Sequence, residues 1–181
     1  MAITLNNPVV HGMKYAAQNV DAYVRSAVCD VEVTNGTLVT LDEGFSDKSQ
    51  GYVFKATVVS ADTAKDVWMV REPEVPKDVC ANMYSDPRAF SIAAGKTFDV
   101  VKLIPGDIFK MSKDEFTTVP AVGTTTYAYP TTNGKLVANA SAAGKQGLVL
   151  KLIAPEQYNI GMEFVDAYIM EVIQNPTKAL A

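Results

Sequence analysis

The fold class is decided in residues 23–41, which have the sequence YVRSAVCDVEVTNGTLVTL. Apolar side chains occupy alternate positions in the first half of this stretch, and mostly polar side chains fill the positions between them. The alternating apolar residues are Ala27, Cys29, Val31 and Val33. A period of two is typical of a strand with one buried face. We therefore predict a strand over residues 23–33.

A turn signal follows at Asn35-Gly36, and after it comes a second run of apolar and β-branched residues. Asn-Gly is the pair that most readily adopts the two positive φ angles of a type I′ turn. A two-residue loop at this point predicts a hairpin in which Val33 pairs with Leu38.

The rest of the chain has the same β character. Of its 181 residues, 23 are Val, 15 Thr and 8 Ile, whereas only 9 are Leu, and β-branched side chains favour pleated sheet over helix. Alternation and turn residues predict further strands over residues 38–41, 52–60, 67–71, 97–104, 107–112, 122–129, 135–139, 147–153 and 164–174. The spacing in the last of these also suits a helix, but its β-branching favours a strand.

One short helix is expected over residues 87–95, with Asp86 as its N-cap and Pro87 at its first position. Pro105-Gly106 suits the centre of a type II turn, after which the chain is expected to return antiparallel, with Asp107 bonded to the turn backbone.

About ten strands and at most one or two short helices indicate an all-β, mainly antiparallel fold, a barrel or a sandwich. Residues 1–22 form an N-terminal arm or lead-in, and residues 175–181 form a tail. Residues 6–12 and 175–181 are expected to be loosely held. The β domain, residues 23–174, is either one unit or two packed subdomains, 23–72 and 96–174, joined by a connector over 73–95.

Composition and motifs argue against several functions. The net charge is −4 and there is no block of Lys and Arg, so nucleic acid is not an expected partner. Neither a signal peptide nor a membrane span is predicted. His11 is the single histidine, and Cys29 and Cys80 are far apart, which gives no recognisable zinc spacing and suggests reduced thiols. We expect no enzyme activity, metal or cofactor.

A chain rich in strands and poor in catalytic groups suggests a protein that works by binding other proteins. Its order of strand and turn signals over roughly residues 28–153 supports a more specific interpretation. The segments that carry this order are residues 30–39, residues 67–70 with Pro73-Glu74-Val75, residues 84–87 with Gly95-Lys96, and residues 105–109. In this order the chain resembles the capsid decoration, or head auxiliary, proteins of tailed bacteriophages.

The resemblance implies a non-enzymatic virion protein, made in the host bacterial cytoplasm, that binds the major capsid protein on the capsid exterior and stabilises the head. It also implies a homo-oligomer, with a trimer favoured, and an extended terminal arm that docks on the capsid. The candidate arm residues are Ile3, Leu5, Val9, Val10 and His11. The alternative is a carbohydrate- or receptor-binding module of the phage surface, in which Tyr127 and Tyr129 share one strand face.

Overall fold

The computed structural model describes residues 7–18, 20–45, 52–72, 86–124, 126–160 and 162–178. Strands account for 51% of the structure, and no helix in the described ranges has seven or more residues. The predicted all-β, mainly antiparallel fold is therefore confirmed.

In the described ranges, twelve strands form the framework, and five short 3-10 turns connect some of them. The strands are β1 Val10–Lys14, β2 Val24–Cys29, β3 Leu38–Phe45, β4 Val53–Val58, β5 Val67–Val70, β6 Thr97–Lys102, β7 Ile108–Ser112, β8 Phe116–Thr118, β9 Tyr127–Pro130, β10 Leu136–Asn139, β11 Val149–Ile160 and β12 Glu163–Gln174. The 3-10 turns are Ala16–Gln18, Asp21–Tyr23, Pro87–Ala89, Lys113–Glu115 and Thr132–Gly134.

The strands are divided between a closed barrel and an open sheet. The barrel has the order β2-β4-β3-β5-β6, and the seven-stranded sheet has the order β1-β7-β12-β11-β9-β10-β8. The pairs β2–β4 and β8–β10 are parallel, and the others are antiparallel. The chain thus begins in the open sheet with β1, forms the barrel with the next five strands, and returns to the open sheet at β7.

One hydrophobic core joins the barrel to the open sheet. It includes Leu38 and Met69 from the barrel and Phe109, Leu150 and Met170 from the sheet, all fully buried. A second cluster fills the barrel interior around Trp68 and Phe98. Because the larger core takes side chains from both layers, burial of apolar surface holds the layers together.

The predicted hairpin at Asn35-Gly36 is wrong. Val33 pairs with Ile92 instead, through two backbone hydrogen bonds of 3.0 and 2.8 Å, and Leu38 pairs with Met69. Gly36 has a φ of +90°, but Asn35 does not have a positive φ, so the turn is not type I′. The side chain of Asn35 is engaged by Glu72, whose backbone N–H donates to Oδ1 at 2.8 Å and whose carbonyl accepts from Nδ2 at 2.9 Å.

The turn at Pro105-Gly106 is confirmed, but the antiparallel return after it is wrong. Gly106 has a φ of +95°, and the N–H of Asp107 donates to the carbonyl of Ile104 at 2.9 Å. The carboxylate of Asp107 accepts from the N–H groups of Ile104 and Ala16, at 2.8 and 2.7 Å. It thereby holds the turn to the segment after β1, and β7 pairs with β1 and β12 rather than with β6.

The expected loose ends are also wrong where the structure describes them. Val9 is buried, and β1 pairs with β7 along the edge of the open sheet. Asn175 is buried as well, and its side chain makes three hydrogen bonds to the backbone of Val67 and Leu103. Both segments complete the packing of the sheet.

The predicted helix over residues 87–95 is shortened to one 3-10 turn, Pro87–Ala89. Its start was predicted correctly, because the carboxylate of Asp86 accepts from the N–H of Arg88 at 2.8 Å and Pro87 follows the cap. The turn ends at Phe90 because Ile92 enters a bridge with Val33. The strand predicted over 164–174 is confirmed as β12. Strands β9 and β10 pair as an antiparallel hairpin, with both Asn133 and Gly134 at positive φ in the turn between them.

Candidate interaction surface

The distal half of the β11–β12 hairpin, residues 154–160 and 162–166, extends past the sheet as a two-stranded structure that we call the ribbon. In the strand pairing, β11 meets β9 through Leu150 and Lys151, and β12 meets β7 through residues 167–171. Beyond these residues the two strands pair with each other. A two-stranded hairpin is marginally stable alone in water, so the ribbon requires side-chain anchors or a binding partner.

One anchor lies halfway along the ribbon. The hydroxyl of Tyr158 donates to the backbone carbonyl of Lys110 at 2.7 Å. In return, Lys110 Nζ donates to the carbonyl of Gln157 at 3.3 Å and lies 4.4 Å from the centre of the Tyr158 ring. These contacts fasten the ribbon to β7, although β12 lies between β11 and β7 in the sheet order.

A second anchor lies at the end of the ribbon. Arg88 Nη2 is 2.8 Å from Glu163 Oε2 and 2.5 Å from Asp86 Oδ2, and only 11% of the Arg88 side chain is exposed. The hydrogen bonds from Arg88 lower the pKa of the Asp86 carboxyl, and the same pairing raises the pKa of Arg88. Backbone support comes from Asn7, whose N–H donates to the carbonyl of Arg88 at 3.1 Å.

The anchored end of the ribbon carries large apolar side chains in water. Met162 is 99% exposed and Phe164 is 70% exposed, and Ile160 beside them is half-buried. We call these three residues the ribbon tip. Residues 154–166 also contain three carboxylates and no Lys or Arg. Exposed apolar residues on a rigidly held element are typical of protein-binding surfaces.

The structure separates the residues of the predicted docking arm. Ile3 and Leu5 lie outside the described residues. Val9 is buried, and Val10 pairs with Met111 as the first residue of β1. His11 is exposed and, with Val9, Val10 and Tyr158, lines a cleft of about 520 Å³ between barrel and sheet.

The two tyrosines of the alternative interpretation lie on β9 with half-buried side chains. Lys145 Nζ is 4.0 Å from the centre of the Tyr129 ring and also pairs with Asp62. Asn139 Nδ2 donates to the Tyr129 hydroxyl at 3.4 Å. Lys145 therefore covers one face of the Tyr129 ring, which reduces the aromatic area that a sugar could contact.

Glu115 is a polar residue whose unusual environment the sequence did not indicate. Its carboxyl is fully buried, and Oε1 has no hydrogen-bond partner. Burial raises the pKa of Glu115 to about 8, against an opposing effect of the charge on Lys135. Glu115 ends the 3-10 turn Lys113–Glu115, and it is the buried residue of that turn.

Cys29 is a buried free thiol, whereas Cys80 lies outside the described ranges. No cluster of three or more His, Cys, Asp or Glu suited to a metal ion occurs in the part of the chain that the structure describes. None of the helical segments described is long and apolar enough to cross a membrane.

The signal for the ribbon tip was present in the sequence as Ile160, Met162 and Phe164 around Gly161. Sequence reasoning missed it because alternating apolar residues at a hairpin end are equally consistent with a buried strand. Comparison with known proteins adds no assignment: no family model matches the chain, and no curated protein matches it in sequence.

Proposed function

We propose that this chain is a non-enzymatic structural protein of a bacteriophage virion, which binds the outer surface of the capsid and stabilises the head. The observation that carries the proposal is the ribbon tip, where Met162 and Phe164 are held in solvent on an anchored hairpin. The order of strand and turn signals, which resembles that of capsid decoration proteins, gives the proposal its specific partner, the major capsid protein.

Physical reasoning links the ribbon tip to this role. Leaving two large apolar side chains in water forgoes about 1.5–3 kcal/mol of burial free energy for each of them. Such residues become favourable when a partner surface covers them, and a few well-buried anchors supply most of the affinity of a protein interface. A decoration protein adds to this the avidity of many copies on a repeating lattice.

Cosedimentation with capsids tests the proposal. Purified protein is mixed with expanded and with immature capsids, and binding to the expanded capsids alone is expected. The double variant Met162→Ser with Phe164→Ser is expected to lose at least tenfold in capsid affinity, which is about 1.4 kcal/mol. A matched control is Val31→Ser, since Val31 is 53% exposed and lies outside the ribbon. Failure of the unaltered protein to bind either capsid form would overturn the proposal.

A further inference from the structure

We propose that the cleft between the barrel and the open sheet binds a small zwitterionic molecule with an apolar body, the class to which the free apolar amino acids belong. The cleft has a volume of about 520 Å³ and lies where β1 of the sheet meets β2, β5 and β6 of the barrel. Ligand sites are typically clefts of about 300–1,000 Å³ that combine apolar surface with a few polar groups. This site goes beyond the proposed function, because the ribbon tip contributes no lining residue to it.

Valines supply the apolar surface of the cleft. Five of its lining residues are valines. Val24 is the most accessible of them at 38% exposed, and Val10 is half-buried, whereas Val9, Val70 and Val101 are buried in the packed framework. An apolar group that covers the accessible valines removes apolar surface from water on both ligand and protein, which favours binding.

Arg71 is the cation of the cleft. Its backbone is held by β6, because the N–H of Arg71 donates to the carbonyl of Asp99 at 3.0 Å. Its guanidinium carbon lies 5.2 Å from the centre of the Tyr15 ring, a geometry that attracts a cation to the ring face. Arg71 is exposed and forms no ion pair with any residue that the structure describes. It therefore retains donors for a ligand carboxylate, which a guanidinium binds with two parallel hydrogen bonds.

Glu72 and Asp99 are the carboxylates of the cleft. Glu72 Oε2 accepts from the backbone N–H of Asp99 at 2.8 Å, and Asp99 Oδ1 accepts from the hydroxyl of Ser26 at 3.0 Å. Both residues are half-buried. Their second oxygens, Glu72 Oε1 and Asp99 Oδ2, accept no hydrogen bond within the described part of the chain. These oxygens are available to an ammonium group, which has three donors.

Opposite charges thus share the cleft without neutralising each other, since no ion pair joins Arg71 to Glu72 or Asp99. A zwitterion satisfies both signs: its carboxylate binds Arg71, its ammonium binds the two carboxylates, and its apolar part covers the valines. A simple anion or a simple amine would leave one sign unmatched. The amide of Asn35 fixes the backbone of Glu72 through two hydrogen bonds, which lowers the cost of ordering the site on binding.

Titration of the full chain with L-phenylalanine, followed by the NMR chemical shifts of the backbone amides, tests the site. We expect saturable shifts centred on Val24, Arg71 and Asp99. Two modified probes separate the charges, because N-acetyl-L-phenylalanine lacks the ammonium group and L-phenylalaninamide lacks the carboxylate. Each should bind at least about tenfold more weakly than phenylalanine, since each loses a charged hydrogen-bonding group.

Two variants match the modified probes. Arg71→Gln should weaken the binding of phenylalanine at least about tenfold but should not weaken that of phenylalaninamide, which has no carboxylate for Arg71 to bind. The double variant Glu72→Gln with Asp99→Asn keeps the acceptor oxygens of the native hydrogen bonds; it should weaken phenylalanine similarly and leave N-acetylphenylalanine unaffected. The control is Lys151→Gln, which removes an exposed cation outside the cleft and should bind all three probes as the unaltered protein does. Thermal melting checks that each variant is folded.

The inference would be overturned by the absence of saturable shifts in the cleft up to the solubility limit of phenylalanine, or by equal affinity for the three probes. A loss of binding in Lys151→Gln as large as that in Arg71→Gln would also overturn it. N-acetylphenylalanine that binds as tightly as phenylalanine would reduce the cleft to an anion site and contradict the role of Glu72 and Asp99. None of the substitutions lies in the ribbon tip, so these results are independent of cosedimentation with capsids, which tests the proposed function.

Discussion

Arg88 Nη2 lies 2.8 Å from Oε2 of Glu163, and this ion pair joins the 3-10 turn between barrel strands β5 and β6 to the end of the β11–β12 hairpin. The Arg88 side chain is largely buried, and its guanidinium also binds Asp86. The contact with Asp86 therefore holds the guanidinium in place independently of the ribbon. The orientation of the ribbon tip therefore depends on a contact with a segment that belongs to neither of its own strands.

Removing the Glu163 carboxylate is expected to loosen the ribbon without unfolding the protein. Glu163→Ala should lower the free energy of unfolding by less than about 1 kcal/mol, because the Glu163 side chain is 65% exposed and solvent screens the pair. Amide hydrogen exchange, measured by mass spectrometry, should become faster in residues 157–166. The control is Glu156→Ala, which removes an exposed carboxylate from the same ribbon; equal exchange in the two variants would contradict the anchoring role.

Glu115 is expected to make stability depend on pH. Burial raises its pKa from 4.5 in the unfolded chain to about 8 in the folded protein. Below pH 4.5 the carboxyl is protonated in both states and folding carries no ionisation penalty. Between pH 4.5 and 8 the unfolded state releases the proton while the folded state retains it, so stability falls as pH rises, by at most about 1.4 kcal/mol per pH unit.

Glu115→Gln should remove that slope, because the amide is neutral throughout the range. Denaturant unfolding at several pH values between 4 and 9 measures the effect. The difference in unfolding free energy between the variant and the unaltered protein should shift in favour of the variant as pH rises. The exposed control Glu156→Gln should keep the original slope, and a Glu115→Gln variant with the same slope would show that Glu115 ionises normally in the fold.

Gly36 is expected to resist substitution for two separable reasons. Its φ of +90° strains any side chain, and an added Cβ would lie 2.8 Å from Val10 Cγ2 and 3.1 Å from Glu115 Oε2. Gly95 has a similar φ of +74° but no atom within 4 Å of its added Cβ. Gly95→Ala should therefore report backbone strain alone, about 1–2 kcal/mol.

Gly36→Ala should lower the free energy of unfolding by about 1–3 kcal/mol more than Gly95→Ala does, the range typical of an overpacked site. The reason is that Val10 and the Glu115 carboxyl must move to make room for the added Cβ. Chemical denaturation of the two variants measures the difference. Equal losses of unfolding free energy in the two variants would contradict the prediction, because they would show that Val10 and Glu115 move aside without destabilising the protein.

The sequence predicted individual strands and turns well because these depend on neighbouring residues. Gly36 and Gly106 adopt positive φ where turns were expected, and the strand over 164–174 was assigned correctly. Strand pairing was predicted poorly at the same turns. The Asn35 side chain binds the backbone of Glu72, and Asp107 binds that of Ala16, and no local pattern reveals such distant partners.

The candidate surface was less predictable than the fold. Alternation marks Phe164 as a strand residue, but its exposure follows from where the neighbouring strands end, since β7 pairs with β12 only through residues 167–171. Arg88 likewise appeared as an ordinary residue of a short helix, and its bond to Glu163 requires the hairpin to reach the barrel loop. Exposure and long-range ion pairs are properties of the assembled layers.

Asn175 supplies the last prediction, because the sequence placed it in a loosely held tail. Its Nδ2 donates to the carbonyls of Val67 and Leu103, both at 2.8 Å, and its Oδ1 accepts from the N–H of Val67 at 3.0 Å. The amide thus completes the hydrogen bonding of β5 at its first residue and of the backbone just after β6. All of these groups are buried, so an unpaired one costs about 1–3 kcal/mol.

Asn175→Ala should therefore lower the free energy of unfolding by at least about 2 kcal/mol, which for a chain of this size corresponds to a fall in Tm of roughly 4–8 °C. Scanning calorimetry measures the change. The exposed Asn139→Ala is the matched control and should shift Tm by far less. Asn175→Asp should also be destabilising, because a carboxylate keeps the acceptor for Val67 but places its negative charge against two carbonyl oxygens. A Tm for Asn175→Ala within a degree of that of the unaltered protein would mean that the hydrogen bonds of the Asn175 side chain do not contribute to stability.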